Sequence, residues 1–587
     1  MGLRLVRSAV LCVLILGGLR ALAAAPMLRL VSATVGPVSI AAGANGANQK
    51  VYVYNAGDGT LSPSLSSSVT WITPTVGAAG ACPSGVSATS CIPLIFAMNT
   101  SALAASTTAY TGIVTVTAPN AVDAPQTITV TVLIGGAVPP SVEVYVKPGG
   151  TANVPFTTSS YLTGKATTQD GAAWLSLLLS GAGSVQFSYP YTISITPQSS
   201  NAGGNTYTGS IVTSGSSFAP DNKTIAVTMH VTTQPIAQAS TTQLSEQLAV
   251  GAPAGYGVVT LSNPGQGTLA VSGATASGSG ITATVSGTTV LVKFDPTGLT
   301  VNSYTGSVSI ASNAVNSPTV VPVTFNVVPA AAPTVYYHGV VDDAVFGSSG
   351  FTVTPGDVMA LFGDQLSFVT PTAGPPPPLA TTVGGAQVLV NNQAVPLYYS
   401  SYGQINFQMP VDTPTGTALV QVVTNNQTSN TVSVSVGARA PRLLLLTGSF
   451  GAIVDASKGN GFNTLPLPPT ITFPGFISTP ASPGDVLTIY AIGLGPTNPT
   501  VASGQAAPAV EPLARLTSTP TVNFSIDLLG LPVQVSATPV FAGLSPNFAG
   551  LYQVNVAIPS NCPSGAVSVT LKFPDGTTSN AANIQVQ

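Results

Sequence analysis

Side chains able to do proton, metal or redox chemistry are scarce in this chain: two histidines, 17 acidic residues and four cysteines among 587 residues. His230 sits within an alternating run, Ile225-Ala226-Val227-Thr228-Met229-His230-Val231, and His338 stands alone near Tyr337, so each reads as a structural imidazole. The spacings that build zinc, dithiol, nucleophile-elbow and dinucleotide sites (His-Glu-x-x-His, Cys-x-x-Cys, Gly-x-Ser-x-Gly, a complete Gly-x-Gly-x-x-Gly) are absent from the sequence. The acidic residues are scattered almost singly. Asp342-Asp343, the one adjacent acidic pair, reads as a solvated turn, with a calcium site between modules as the alternative. Asp357 and Asp485 each follow Pro-Gly, where a carboxylate accepts backbone N–H groups of its own turn. These residues predict no catalytic, cofactor or metal site, and so a non-enzymatic chain.

Aromatic rings beside hydrogen-bonding groups are the other route to a ligand, since a ring can hold the apolar face of a sugar. Phe187, Tyr189 and Tyr191 fall on one face if their segment is a strand, and Pro190 suggests an edge or a loop. They are the candidate glycan contacts, with core packing as the competing reading. Trp71 and Trp174 read as core. Cys82 and Cys91 are close enough in sequence to pair in an oxidising compartment, contributing roughly 2–3 kcal/mol on the chain-entropy model. Cys562 is left over, as a buried thiol or as half of an intermolecular disulfide.

The elements that must position these residues follow from composition. Hydrophobic residues make up 44%, ample for several cores, whereas charged residues are only 5%, which leaves Ser, Thr, Asn, Gln and Gly to cover the surface. With 60 Gly and 50 Pro, this favours many short strands joined by turns over soluble helices, whose outer faces usually carry Lys and Glu. Arg4 and Arg7, the apolar run from Ala9 to Leu19, and Ala21-Leu22-Ala23 read as a signal peptide over 1–23. Its removal leaves 14 − 3 = 11 basic against 17 acidic residues, a weak charge that suits neither nucleic acid nor an anionic membrane. The chain is expected to be secreted, extracellular or periplasmic, with no membrane span.

Tyr-Thr-Gly recurs at 110, 207 and 304, an even spacing of 97, each time ahead of another alternating run. A β repeat of that length is the size of an immunoglobulin-like sandwich. Three repeats are expected, over 27–135, 141–232 and 238–329. Asn55-Ala56-Gly57, Trp71-Ile72 and Tyr110-Thr111-Gly112 in the first, Trp174-Leu175 and Tyr207-Thr208-Gly209 in the second, and Asn263-Pro264-Gly265 with Tyr304-Thr305-Gly306 in the third resemble the BACON family. The family's name abbreviates a Bacteroidetes-associated, often N-terminal, carbohydrate-binding domain, and the resemblance implies glycan binding. The second repeat lacks the Asn-x-Gly turn and the third lacks the tryptophan.

The remainder is a duplication. Pro355-Gly356-Asp357 returns as Pro483-Gly484-Asp485, and Gln404-Ile405-Asn406-Phe407 returns as Gln553-Val554-Asn555-Val556, each copy of the latter closed by a proline. The halves are set at 335–437 and 438–587, the second carrying an insertion. Ile405, Phe407, Val554 and Val556 read as core, and the amides of Gln404, Asn406, Gln553 and Asn555 as a structural motif bonded to neighbouring strands or loops. With Gly493-Leu494-Gly495-Pro496, Gly550-Leu551-Tyr552-Gln553 and the closing Ser-Asn strands, this region resembles the Solibacter-type C-terminal domain family of uncharacterised exported proteins. The resemblance implies a terminal module of secreted chains and no activity.

The expectation is an all-β protein of tandem immunoglobulin-like β-sandwiches, three N-terminal repeats plus a duplicated C-terminal module, with no cofactor. Five sandwiches in series would serve a structural, adhesive or protein-contact role, touching surface proteins. The alternative is a carbohydrate-binding array on extracellular polysaccharide, and a distant third is a secreted glycan-active enzyme.

Overall fold

The structure, a computed structural model, describes residues 25–106, 108–180, 189–347, 352–459, 461–528 and 531–587; the expected signal peptide over 1–23 lies outside them. Among the described residues the one helical element is a 3-10 turn, Ala219–Asp221, and the regular structure is otherwise β-strand. The strands build paired sheets with five main apolar cores. No helix among these residues is long and apolar enough to cross a membrane.

In the first sandwich, Leu28–Leu30, Gly46–Asn55, Ile92–Met98 and Ile72–Val76 form one sheet, facing Thr34–Ile40, Gln126–Ile134, Tyr110–Thr117 and Ser64–Ser67. The same plan recurs within 141–231 and 238–328, and in larger form within 334–436 and 442–586. Each sandwich lays an early strand parallel to its closing strand: Thr34–Ile40 on Gln126–Ile134, Ser141–Val146 on Thr224–Val231, Leu244–Ala249 on Thr319–Val328, Thr352–Val353 on Val432–Val436, and Phe450–Gly451 on Ala582–Val586. The entering strand thereby covers an edge that would otherwise template pairing with another chain.

The repeated triplet has a steric cause. A Cβ on Gly209 would lie 2.8 Å from the Thr167 carbonyl and 3.1 Å from the Trp174 ring, and one on Gly306 only 2.0 Å from the Ser277 carbonyl. Trp71 and Trp174 are buried in their cores. The Asn-x-Gly turns are bonded alike: Asn55 Oδ1 accepts from the Met27 and Gly57 N–H groups, and Asn263 Oδ1 from those of Ile236 and Gly265.

The expected plain series is corrected by a contact between the first and fourth sandwiches. Asp123, 1% exposed, accepts from Arg29 Nη1 at 2.5 Å, from the Ser433 N–H at 2.6 Å and from the Ser433 hydroxyl at 2.8 Å. Its own N–H donates to the Thr431 carbonyl at 2.9 Å. A repeat period records that modules follow one another and carries nothing about a chain that turns back. The third and fourth sandwiches meet where the Ala249 N–H donates to the Tyr402 hydroxyl at 2.8 Å. The fourth and fifth meet where the Gly504 N–H donates to Gln408 Oε1 at 2.6 Å and the Tyr398 hydroxyl donates to the Ala549 carbonyl.

Candidate functional site

Tyr189 and Tyr191 occupy Tyr189–Ile195, the central strand of a three-stranded sheet between Ala152–Thr158 and Leu175–Leu179, so Pro190 marks neither an edge nor a loop. Tyr191 is 3% exposed, its ring stacks on Phe156, and its hydroxyl accepts from the Leu162 N–H and donates to the Leu162 carbonyl, both at 2.8 Å. Tyr189 packs half-buried on the same core, edge-on to Tyr161. The proposed sugar platform is corrected at both tyrosines: their shared face is the core face, and alternation alone does not say which face points inward. Phe187 lies outside the described residues.

An open aromatic face occurs instead on the third sandwich. On Gly255–Ser262, Tyr256 is 58% and Val258 52% exposed, and Leu291 on Thr289–Phe294 is 40% exposed. Register sets Val258 directly opposite Leu291 and Tyr256 opposite Lys293, with Thr284 and Thr282 next in line on Ile281–Ser286. The Lys293 ammonium donates to Asp295 Oδ2 at 2.8 Å, and that hydrogen bond, with those from Thr297, holds the Asp295 carboxyl down at about 2. The result is a flat apolar strip flanked by hydroxyls and one neutralised ion pair. The sequence carried a signal for it: Tyr256-Gly257-Val258-Val259-Thr260-Leu261 breaks alternation, because Val259 and Leu261 fill the core while Tyr256 and Val258 face out.

The nearest approach to a catalytic relay is on the second sandwich. His230 Nδ1 lies 2.9 Å from the Thr206 hydroxyl and Nε2 lies 2.8 Å from Glu143 Oε1, with the imidazole stacked on Tyr145. The order hydroxyl–imidazole–carboxylate matches a nucleophile, base and orienting acid. However, its three members are cross-strand neighbours on a sheet face, and the Glu143 side chain is 64% exposed. A relay of this kind needs backbone N–H donors converging where an oxyanion would form. The neighbouring strands are engaged in ladder pairing instead, and the arrangement reads as a surface hydrogen-bonded chain.

The duplicated motif is structural in its geometry. Ile405, Phe407, Val554 and Val556 are fully buried. Gln404 Nε2 donates to Asn406 Oδ1 at 2.8 Å and Gln553 Nε2 to Asn555 Oδ1 at 2.9 Å, an amide ladder along each strand. Asn406 Nδ2 continues to Asp343 Oδ1 at 2.8 Å, and the Ser545 hydroxyl joins Gln553 Oε1 at 3.1 Å. The expected solvated turn at Asp342-Asp343 is also corrected. Asp342 is buried, accepting from the N–H groups of Ala344, Val345 and Gly347, and Asp343 is half-buried.

Both Pro-Gly-Asp carboxylates accept a backbone N–H in their turns, Asp357 from Thr354 at 3.3 Å and Asp485 from Ser482 at 2.6 Å. Their electrostatics diverge. Burial pushes Asp357 up to about 8, opposed by the Thr354 N–H, reinforced by the Asp342 charge and opposed by Arg442. At Asp485 desolvation also pulls upward, but the hydrogen bonds from Lys458 and Ser482 prevail and the carboxyl falls below its usual range. Cys82 and Cys91 form a disulfide, whereas Cys562 is a free, buried thiol.

No protein-family model matches the chain, and no curated protein matches it. Among solved structures, an I-band fragment of titin covers 52% of this chain and 99% of its own at 8% identity and a TM-score of 0.14. The four N-terminal immunoglobulin domains of Dscam1 cover 70% and 99% at 10% identity and a TM-score of 0.20. The SGBP-B protein of the Bacteroides ovatus mixed-linkage glucan utilization locus, in complex with a mixed-linkage heptasaccharide, covers 60% and 68% at 13% identity and a TM-score of 0.19. At such scores the likenesses carry no argument, and the all-β, multi-sandwich architecture rests on the strand pairing itself.

Proposed function

We propose that this is an exported, non-enzymatic β-sandwich protein with a structural, adhesive or protein-contact role at or outside the cell surface. The observation that carries the reading is the seam between the first and fourth sandwiches. There a buried carboxylate is spent on Arg29 and Ser433, holding one module to another. Buried polar groups used in this way fix a geometry, as a rigid contact element requires. Small-angle scattering tests it: the intact chain should give a fixed compact envelope, and Asp123→Ala should enlarge it. An intact chain that scatters as a flexible string would remove the basis for a rigid contact element. Fractionation of producing cells should find the chain outside the cytoplasm, shortened at its N-terminus.

The second reading, binding of extracellular polysaccharide, is favoured by the Tyr256 face. A ring and two aliphatic side chains bordered by Thr282 and Thr284 suit the apolar face of a pyranose and its hydroxyls. Its three apolar side chains fall well short of the roughly 20–30 residues a side of a stable protein interface. A glycan array separates the readings: saturable binding lost in Tyr256→Ala supports the second, and a blank array across plant and microbial polysaccharides sinks it.

A further inference from the structure

The two halves of the C-terminal region place the same pair of acids in the same place, both buried in the fourth sandwich and one of them, Asp485, partly open in the fifth, and neutralise them differently. Register fixes the equivalence. Asp342 lies opposite Met359, two residues after Asp357, and Asp455 lies opposite Leu487, two residues after Asp485. The next residues match too, the Asp343 N–H donating to the Val358 carbonyl and the Ala456 N–H to the Val486 carbonyl.

In the fifth sandwich the Lys458 ammonium lies 2.8 Å from Asp485 Oδ2 and 3.4 Å from Asp455 Oδ2. In the fourth, the residue three places after Asp342 is Val345. Asp357 is 1% exposed, and its Oδ1 is buried without a hydrogen-bond partner. The groups that face it are Asp342 in its own sandwich and, across the seam, Arg442 and the Tyr552 phenol. Arg442 Nη1 donates to the Pro441 carbonyl, and the Tyr552 hydroxyl to the Gly495 carbonyl. Gly493 of the fifth sandwich closes over the carboxylate, where a Cβ would sit 3.4 Å from Asp357 Oδ2. A metal ion suits this pair poorly, because three N–H donors already point at Asp342 and would repel it.

We propose that Asp357 keeps a proton through the neutral range, that this proton takes the place of the Lys458 ammonium, and that the need to hold it makes the fourth sandwich loosen along its seam with the fifth as pH rises toward alkali. The carboxylic acid gives the proton to solvent and no other bond changes. The folded chain holds a proton that the unfolded chain, with an ordinary carboxyl, has already lost. Stability therefore falls as pH rises between the two values, the opening constant growing about tenfold per pH unit and levelling once both states are ionised.

The test is hydrogen exchange of the mature full-length chain, read over Val358–Asp364 and Gln404–Gln408 and corrected for intrinsic exchange, with infrared spectra of the same samples. The corrected opening constant should rise with pH across the neutral range in the native chain and stay flat in Asp357→Asn. The carbonyl band of an un-ionised acid should be present at neutral pH, fade in alkali and be missing from Asp357→Asn, while Asp485→Asn retains it. A native opening constant flat in pH, one that follows added sodium, potassium or calcium instead, or an acid band unchanged by Asp357→Asn would each overturn the proposal. Should Asp357→Asn not fold, a native acid band that persists while the opening constant rises and fades at the pH where that rise levels still decides it.

Discussion

The fourth and fifth sandwiches descend from one plan and keep its backbone while changing its charges. Both retain the Pro-Gly-Asp turn, whose carboxylate takes an N–H from Thr354 or Ser482, and both retain the Gln-x-Asn ladder on a strand whose alternate residues are fully buried. The difference lies in what neutralises the acids. The fifth sandwich has the longer loop between its two aspartates, and Lys458 arrives on it. The fourth has no such loop, and there the amide ladder ends on a carboxylate, Asp343, where the fifth has Ala456. A turn that must satisfy backbone donors tolerates little change, whereas a buried acid accepts a lysine, a proton or an amide as its partner.

The largest expected asymmetry is in the core. Phe407 and Val556 are equivalent and fully buried. Phe407→Ala should cost about 3–5 kcal/mol and Val556→Ala about 2 kcal/mol, in proportion to the cavity each leaves. Equal losses in chemical denaturation would mean that the fourth core collapses around the gap and is less tightly built than its copy.

Lys458→Met comes next, and it should convert the fifth sandwich toward the behaviour of the fourth. Removing one partner of a fully buried pair costs 3–5 kcal/mol, and about 2–3 kcal/mol is expected here because the Lys458 side chain is 26% exposed. Burial already holds Asp455 above its usual range, and the pH dependence of the Asp485 contribution should invert to join it. With Lys458 present, Asp485 is held below its usual range, so its contribution is complete above the ordinary carboxylate value and lost as pH falls through the lowered one. Without the ammonium, burial and the like charge of Asp455 raise the pair, and the fifth sandwich should weaken as pH rises instead. Unfolding curves that keep their acid-side loss in Lys458→Met would show that the Ser482 N–H, not the lysine, holds Asp485 ionised.

Much of this contrast was legible in the residues. The two Pro-Gly-Asp turns and the two Gln-x-Asn strands announce the duplication, and Ile405, Phe407, Val554 and Val556 follow from alternation. The partnership of Asp342 with Asp455 was not, because the longer loop before Asp485 shifts the spacing and only strand register restores the match. Alternation likewise placed Tyr189 and Tyr191 on one face without giving that face a direction. Asp123 carried no local sign that its partner lies in the fourth sandwich, since a hydrogen bond across so long a separation leaves no period to read.

The smallest effect is the most specific to the comparison. Asn406 donates to an acid, whereas the fifth sandwich has Ala456 at the position equivalent to that acid, so the same truncation should be felt unequally. A hydrogen bond to a charged group is worth about 1.5–3 kcal/mol and a neutral one about 0.5–1.5 kcal/mol. Asn406→Ala should therefore cost about 2 kcal/mol and Asn555→Ala about 1 kcal/mol. The excess should also depend on pH. Burial raises the Asp343 carboxyl, the Asn406 amide lowers it, and the Asp342 charge raises it again. The amide's extra worth belongs to the ionised form, so it should be full above the Asp343 value and fade as acid protonates that group, bringing the two variants together. A gap between them that persists into acid would place the difference in packing, with the ladder's carboxylate end contributing nothing.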